Sequence, residues 1–368
     1  MTIQRGYKTE LMLNNKQRTA CLKHAGAARF AYNWGMNQKK QAMEVKDKIP
    51  NAIELHRRIN ALKKSDFAWM YEVSKCSPQE ALRNLDRAFD NFFKKRGKFP
   101  KFKSKKKGVG SFRLTGTIKV TENTIQLPRL GKLRLKEKGY LPTDAKILSA
   151  TVSERAGRWF ISLQVEEELP EFELKKDQHD VVGMDLGIKT LATISDRTNF
   201  ENPKPLKKKL RKLQKLNRNL SRKQKGSQNS KKARNKLARL HLKISNIRKD
   251  TLHKMTTALA KTKRVIGIED LNVSGMLKNR SLSRSIADIG FFECRRQLEY
   301  KGTWYDCRIV SVDRFFPSSK TCSNCGLVNQ SLTLADREWD CDGCGTHHDR
   351  DFNASCNLEY IAASSTEI

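Results

Sequence analysis

The sequence predicts a multidomain α/β protein, and three of its features carry that prediction. A length of 368 residues exceeds what one hydrophobic core usually organises, so at least two modules are expected. Residues 112–167 alternate apolar and polar side chains, whereas 16–96 and 206–255 carry apolar residues three and four apart. Two short apolar runs, VVGMDLGIK (181–189) and RVIGIEDL (264–271), each end in an acid, the pattern of strands buried on both faces.

Ile3 to Leu13 opens the chain as a strand with no sheet partner near it in sequence. It is expected to join the later alternating strands, so that 1–15 and 97–172 form one small antiparallel barrel and 16–96 is a helical insertion. In the first helix of that insertion Ala27, Ala28, Phe30, Ala31 and Trp34 mark the inward stripe. Ser77-Pro78-Gln79-Glu80 reads as a helix start of the capping-box type: Ser77 accepts from a first-turn N–H, Pro78 takes the first helical position and Glu80 the third. Leu82, Leu85, Phe89, Phe92 and Phe93 then read as core. GKFPKFKSKKKGVG (97–110) breaks the helical period and sets Phe99 and Phe102 among lysines, which suits a solvated linker or a basic loop whose aromatics rest on bases or sugars. TIKVTENTIQLP, GKLRLKE and the run Ile147 to Val165 supply the barrel strands, with turns at Glu122-Asn123 and Ala156-Gly157. Further on, Leu206, Leu210, Leu213, Leu216 and Leu220, a polar break KQKGSQNS, and Leu237, Leu240, Ile244 and Ile247 describe a helical hairpin.

Seventy-four Lys and Arg against 39 Asp and Glu, a formal net charge of +35, point to a polyphosphate partner, and nucleic acid is the usual one. A packing protein of the ribosomal or chromatin type would share that charge. From Lys204 to Arg239 there is no acid, so like charges repel along the hairpin unless phosphates neutralise them, and this face is expected to contact nucleic acid. No run reaches the roughly 18 apolar residues of a membrane span. The start MTIQRGYKTELML lacks a secretory leader pattern, so a cytoplasmic location is expected.

Gly183 shares a strand face with Asp185, and Gly267 with Glu269; both glycines are expected to leave open space beside the carboxylates. If the two strands are neighbours in register, the acids point into one cavity. Each alone fits a strand-end turn. Asp351, where DFNASCNLEYIAA resumes helical character, is either a helix N-cap or a third carboxylate over the strand ends. Three converging carboxylates in a basic protein suit two Mg²⁺ (or Mn²⁺) ions, which activate a water and stabilise the leaving oxygen in an in-line displacement at phosphorus.

Nine cysteines, an odd number with four in two close pairs, argue for metal rather than disulfides. Cys322-x2-Cys325, fifteen residues, then Cys341-x2-Cys344 has the spacing of a four-cysteine ribbon around one structural Zn²⁺. Four thiolates complete the shell, so His347 and His348 are not expected as ligands. Cys21, Cys76, Cys294, Cys307 and Cys356 are expected to be packing residues.

ARFAYNW (28–34), SPQEALRNLDRAFDNFF (77–93), GKFPKFKSKK (97–106), GMDLGIK (183–189), GIEDL (267–271), FFPSSKTCSNCG (315–326) and HDRDFNAS (348–355) span nearly the whole chain. In this order they resemble the TnpB family, transposon-encoded proteins related to the type V CRISPR effectors. The resemblance implies an RNase H-like (RuvC) nuclease domain over 178–320 that includes a basic hairpin at 204–255, a zinc ribbon at 321–346 and a closing segment of the nuclease domain at 347–368. Ahead of these it implies a wedge-like barrel, 1–15 and 97–172, carrying a helical recognition insert at 16–96. Asp185, Glu269 and Asp351 stand at the family's catalytic positions, with Asp349 the rival for the third, and Ser355 stands where the family usually has Ala. The implied activity is RNA-guided cleavage of double-stranded DNA, with a guide RNA from the transposon end (omega RNA) and a short protein-read motif beside the target. The implied setting is prokaryotic, at the nucleoid when DNA is bound. Relatives that have lost the triad act as guided repressors, and the intact triad argues against that reading. A DNA-strand-joining transposase is the remaining alternative; no helix-turn-helix module followed by an Asp, Asp, Glu core is apparent.

Overall fold

The computed structural model describes residues 2–168, 180–333 and 335–365. The chain divides into two units, Met1–Leu169 and Pro170–Ile368. The boundaries expected at 172 and 178, and the last residues 366–368, lie outside the described residues.

The first unit begins with β1 (Thr2–Met12), then α1 (Asn15–Glu44), α2 (Ala52–Leu62) and α3 (Cys76–Phe93). It continues with β2 (Ser111–Leu114), β3 (Lys119–Val120), β4 (Thr124–Leu127), β5 (Gly131–Leu135), β6 (Lys146–Arg155) and β7 (Arg158–Glu168). These strands form one sheet in the order β2-β6-β7-β1-β5-β4-β3. β1 lies antiparallel to β7 from Thr2↔Glu168 to Leu11↔Trp159 and meets β5 at Leu11↔Leu135, so the helices are inserted between strands of one sheet. The end strands β2 and β3 do not pair with each other among the described residues. Ala156 and Gly157 both hold positive φ (55° and 76°), the backbone a two-residue hairpin needs to match strand twist. Leu55, Leu82 and Leu85 from the helices join Leu114, Leu133 and Ile161 from the sheet in one core.

Three expectations for this unit need correction. The helix α3 starts at Cys76, because Lys75 is already in the right-handed helical region; Ser77 therefore lies inside the first turn and forms no cap. Its buried hydroxyl has no hydrogen-bond partner, and Glu80 is turned to Arg83 at 2.7 Å. The fully buried stripe ends at Phe89: Phe92 is partly buried and Phe93 is 56% exposed. The loop 97–110 is neither a free linker nor, at Phe99, a base platform: Phe99 packs edge-on against Phe89 and Phe92, with centroids 5.6 and 5.1 Å away. The Asn33 amide exchanges two hydrogen bonds with the Lys103 backbone, at 2.9 and 2.8 Å, which ties the loop to α1. Phe102 stays exposed, with the Lys40 ammonium over its ring.

The second unit opens with β8 (Val181–Asp185), β9 (Thr190–Ile194), β10 (Asn199–Glu201), α4 (Pro205–Ser221), α5 (Gln228–Thr262) and β11 (Val265–Glu269). Then come α6 (Val273–Met276), α7 (Ser283–Ile289), α8 (Phe291–Tyr305), β12 (Arg308–Val312), β13 (Glu338–Asp340), β14 (His347–Asp349) and α9 (Arg350–Ser364). The main sheet runs β10-β9-β8-β11-β12, with β11 parallel to both β8 and β12. Val182, Met184, Ile266 and Ile268 pack with Leu252, Met255 and Leu298 from α5 and α8, while α9 packs against β8 and β11. The hairpin of α4 and α5 closes on its own small core of Leu213, Leu240 and Ile244. No helix among the described residues is long and apolar enough to cross a membrane.

Candidate metal centres

The ladder between β8 and β11 pairs Gly183 with Gly267 and Met184 with Ile268; Asp185 and Glu269 each come next on their strand. The acids thus stand side by side where the two parallel strands end. The glycines do not leave open space beside them, contrary to expectation. A Cβ on Gly183 would fall 1.9 Å from the Ser355 carbonyl oxygen, and one on Gly267 2.4 Å from the Leu358 carbonyl oxygen. That space belongs to the backbone of α9, which the two glycines allow to lie directly on the strands.

With α9 seated there, its first turn lies at the strand ends. A Cβ on Gly187, two residues past Asp185, would be 3.9 Å from Asp351 Oδ2. The other oxygen, Oδ1, accepts from Arg350 at 3.2 Å and faces Arg337 at 3.7 Å. The N-cap is Asp349, whose carboxylate accepts from the Phe352 N–H at 2.8 Å, so the two neighbouring acids have separate positions.

Burial pushes the Asp185 carboxyl up to about 7, and the charges of Asp351 and Glu269 push the same way; Arg350 and the Leu186 backbone N–H oppose them. Burial, then Asp270, raises Glu269. Asp270 itself is held low by Arg314 and Arg295, which hydrogen-bond it. The structure therefore gathers carboxylate charge that ion pairs only partly offset. An all-oxygen donor set from three elements, with one proton retained near neutral pH, fits a hard divalent cation.

Cys322, Cys325, Cys341 and Cys344 have their sulfurs within 4.8 Å of one another, the only such closed set of metal-ligating atoms among the described residues. The three carboxylates are not drawn to that span. Cys322 and Cys341 are buried and the other two cysteines exposed. His348 Nε2 lies 3.1 Å from Cys322 Sγ, its ring against Trp339, whereas His347 turns to Asp340. Four thiolates at this spacing suit a structural Zn²⁺. Of the remaining cysteines, Cys21, Cys76, Cys294 and Cys307 are buried, and Cys356 is partly exposed.

Two asparagines whose structural role the sequence does not reveal hold the ribbon to α9. Asn353 Nδ2 donates to the Thr321 carbonyl at 2.8 Å while its Oδ1 accepts from the Ser323 N–H at 2.9 Å. One turn on, Asn357 donates to the Ser318 and Thr321 carbonyls, both at 2.7 Å. The signal was an Asn pair four apart behind a cysteine knuckle, which a single sequence does not distinguish from polar helix residues.

A protein-family model described as "Probable transposase" matches residues 150–280, and one described as "Cas12f1-like, TNB domain" matches 291–358. A third, described as "Helix-turn-helix domain", matches 1–48, where this structure has β1 and the single helix α1. A Streptomyces pristinaespiralis protein named "Putative RNA-guided DNA endonuclease" is 38% identical over 360 residues, 97% of this chain and 89% of the relative. Escherichia coli (strain K12) InsQ, named in the same words, is 33% identical over 371 residues, 96% of this chain and 90% of that protein. The structure titled "Cryo-EM structure of the Cas12f1-sgRNA-target DNA complex" shares the fold with a TM-score of 0.60 at 14% identity, over 97% of this chain and 99% of that one.

Proposed function

Since the chain belongs to the TnpB family, we propose that it is an RNA-guided DNA endonuclease in which Asp185, Glu269 and Asp351 form the metal-dependent catalytic centre. The observation that carries this reading is that burial raises the Asp185 carboxyl of β8 to about 7, with the charges of Asp351 on the first turn of α9 and Glu269 on β11 adding to the rise. Two Mg²⁺ (or Mn²⁺) ions held by these residues would supply an activated water, charge neutralisation at the scissile phosphate and stabilisation of the leaving oxygen. Holding a cation would require the Asp185 carboxyl to be ionised. Arg350 steadies the Asp351 carboxylate, and Asp349 fixes the start of the helix that carries it.

In this reading 178–320 and 347–368 form an RNase H-like domain, and 321–346 a ribbon around one Zn²⁺. Residues 1–15 and 97–172 form a wedge-like barrel with the recognition insert 16–96. Guide RNA from the transposon end (omega RNA) reads the target by base pairing, while the protein reads the backbone and a short adjacent motif. The work is done in the cytoplasm, at the nucleoid. The intact triad favours cleavage over guided repression.

The test is expression with native flanking DNA, sequencing of the co-purified RNA, replacement of about 20 guide nucleotides, and mapping of the DNA ends. The cut is expected to follow the new guide. Asp185→Ala, Glu269→Ala and Asp351→Ala should each abolish cutting with DNA binding kept, and Asp349→Ala should still cut. Cleavage that ignores the guide or persists without RNA overturns the proposal. Joined strands in place of free ends would favour the transposase reading.

A further inference from the structure

Beside Glu269, the ends of β8 and β11 open on a cleft of about 320 Å³. Its apolar lining includes Met184 and Ile268 from the strands and Leu298 from α8, all buried, while Phe292, 69% exposed, lines its solvent side. Arg295 and Arg314 also line it, and both are engaged: each binds Asp270, and Arg295 also binds Glu299 at 3.0 Å.

A phosphate would find these two guanidiniums already neutralised, in a protein whose Lys and Arg outnumber its acids by 35. An apolar floor, an exposed aromatic ring and guanidinium planes held in place by carboxylates suit a flat, uncharged ring system. The volume lies at the lower end of small-molecule sites, room for one such ring system rather than a stacked pair. With Glu269 forming part of the wall, a base seated here belongs to a nucleotide next to the phosphate that the three acids face.

We propose that this cleft is a base pocket for the nucleotide flanking the scissile phosphate, filled only by an unpaired strand. The proposal rests on the nuclease reading of the acids. It gives Phe292 a positioning role through stacking, and it makes cutting depend on the base itself as well as on the backbone.

The test uses the full chain with its co-purified RNA and a DNA target carrying a single abasic site, or a single 2-aminopurine, stepped through the cut region. One position beside the cut should lose about tenfold in rate when abasic, the size of one lost base–aromatic stack. Phe292→Ala should flatten that profile without changing the melting temperature, and Phe292→Trp should restore it. In the absence of divalent ions, 2-aminopurine at that position should quench on binding to the wild type and not to Phe292→Ala. An abasic scan with no position losing more than about twofold, or a Phe292→Ala profile equal to the wild type, overturns the pocket while leaving the nuclease reading intact. Position-specific quenching without any cutting would show a base-binding cleft but overturn the nuclease reading, and with it the place of the pocket beside a scissile phosphate.

Discussion

A carboxyl that keeps its proton up to about pH 7 works against the fold that buries it, and Asp185 is such a group. Its folded value lies above its ordinary 3.8, so between about pH 4 and pH 7 this carboxyl holds more proton in the folded chain than in the unfolded one, and its contribution to stability falls as pH rises through that window. Asp185→Asn removes that loss. Without divalent ions at pH 8 the variant should melt above the wild type, by about 2–4 °C for each kcal/mol removed. The gap should close towards pH 4, and Mg²⁺ should raise the wild type alone. A variant that melts no higher than the wild type at pH 8 would show that the burial of Asp185 carries no such cost. At this scale the sequence was legible in part. It named three acids, yet left Asp351 as either the helix cap or the third carboxylate, with Asp349 its rival for the third place. The extended backbone at Asp349 (φ −75°, ψ 127°) assigns the cap to Asp349, because only a residue just outside the helix can turn its carboxylate back to the Phe352 N–H.

Elements were more legible than their contacts. Periodicity located the paired strands, the basic hairpin and the last helix, since a 2.0 or 3.6 repeat survives whatever packs against it. The misreading of Gly183 and Gly267 has the same origin: a missing side chain signals a close approach without saying by what. Here the answer is α9, so Gly183→Ala should force that helix outward, cost about 1–3 kcal/mol in urea unfolding, and reduce cutting by moving Asp351. Full activity in a folded Gly183→Ala protein would break the link between the glycine and the site. The cysteine ribbon depends on α9 in turn. Asn353→Ala leaves the Ser323 N–H without its acceptor and should cost about 1–3 kcal/mol. Cys322→Ser or Cys344→Ser should abolish binding of about one zinc per chain and weaken the module, because metal-binding energy is folding energy here. Metal analysis checks it: well under one zinc in the wild type, or unchanged melting in both variants, removes the assignment.

For the whole molecule the governing quantity is the net charge of +35, and it is unevenly spread. Lys208, Arg211, Lys212 and Lys215 are exposed on α4, where 208 and 212, and 211 and 215, are like charges one turn apart with no acid between them. That spacing destabilises the free helix by a few tenths of a kcal/mol per pair at low salt. If this face meets nucleic acid, phosphates supply the offset, and their counterions are released when Lys and Arg replace them. Replacing these four residues by Gln should therefore act in opposite directions on two measurements. The RNA-free protein should melt higher at low salt, and the difference should vanish at about 1 M, where screening reaches only ~3 Å. Binding to the co-purified RNA should weaken, and the slope of log affinity against log salt should fall in magnitude by about 3, close to one per cation removed. An unchanged slope would mean that this face meets no phosphate and that the charge serves another purpose. A slope that falls while melting at low salt stays the same would keep the contact and discard the repulsion, locating the strain of an acid-free helix outside its i,i+4 pairs.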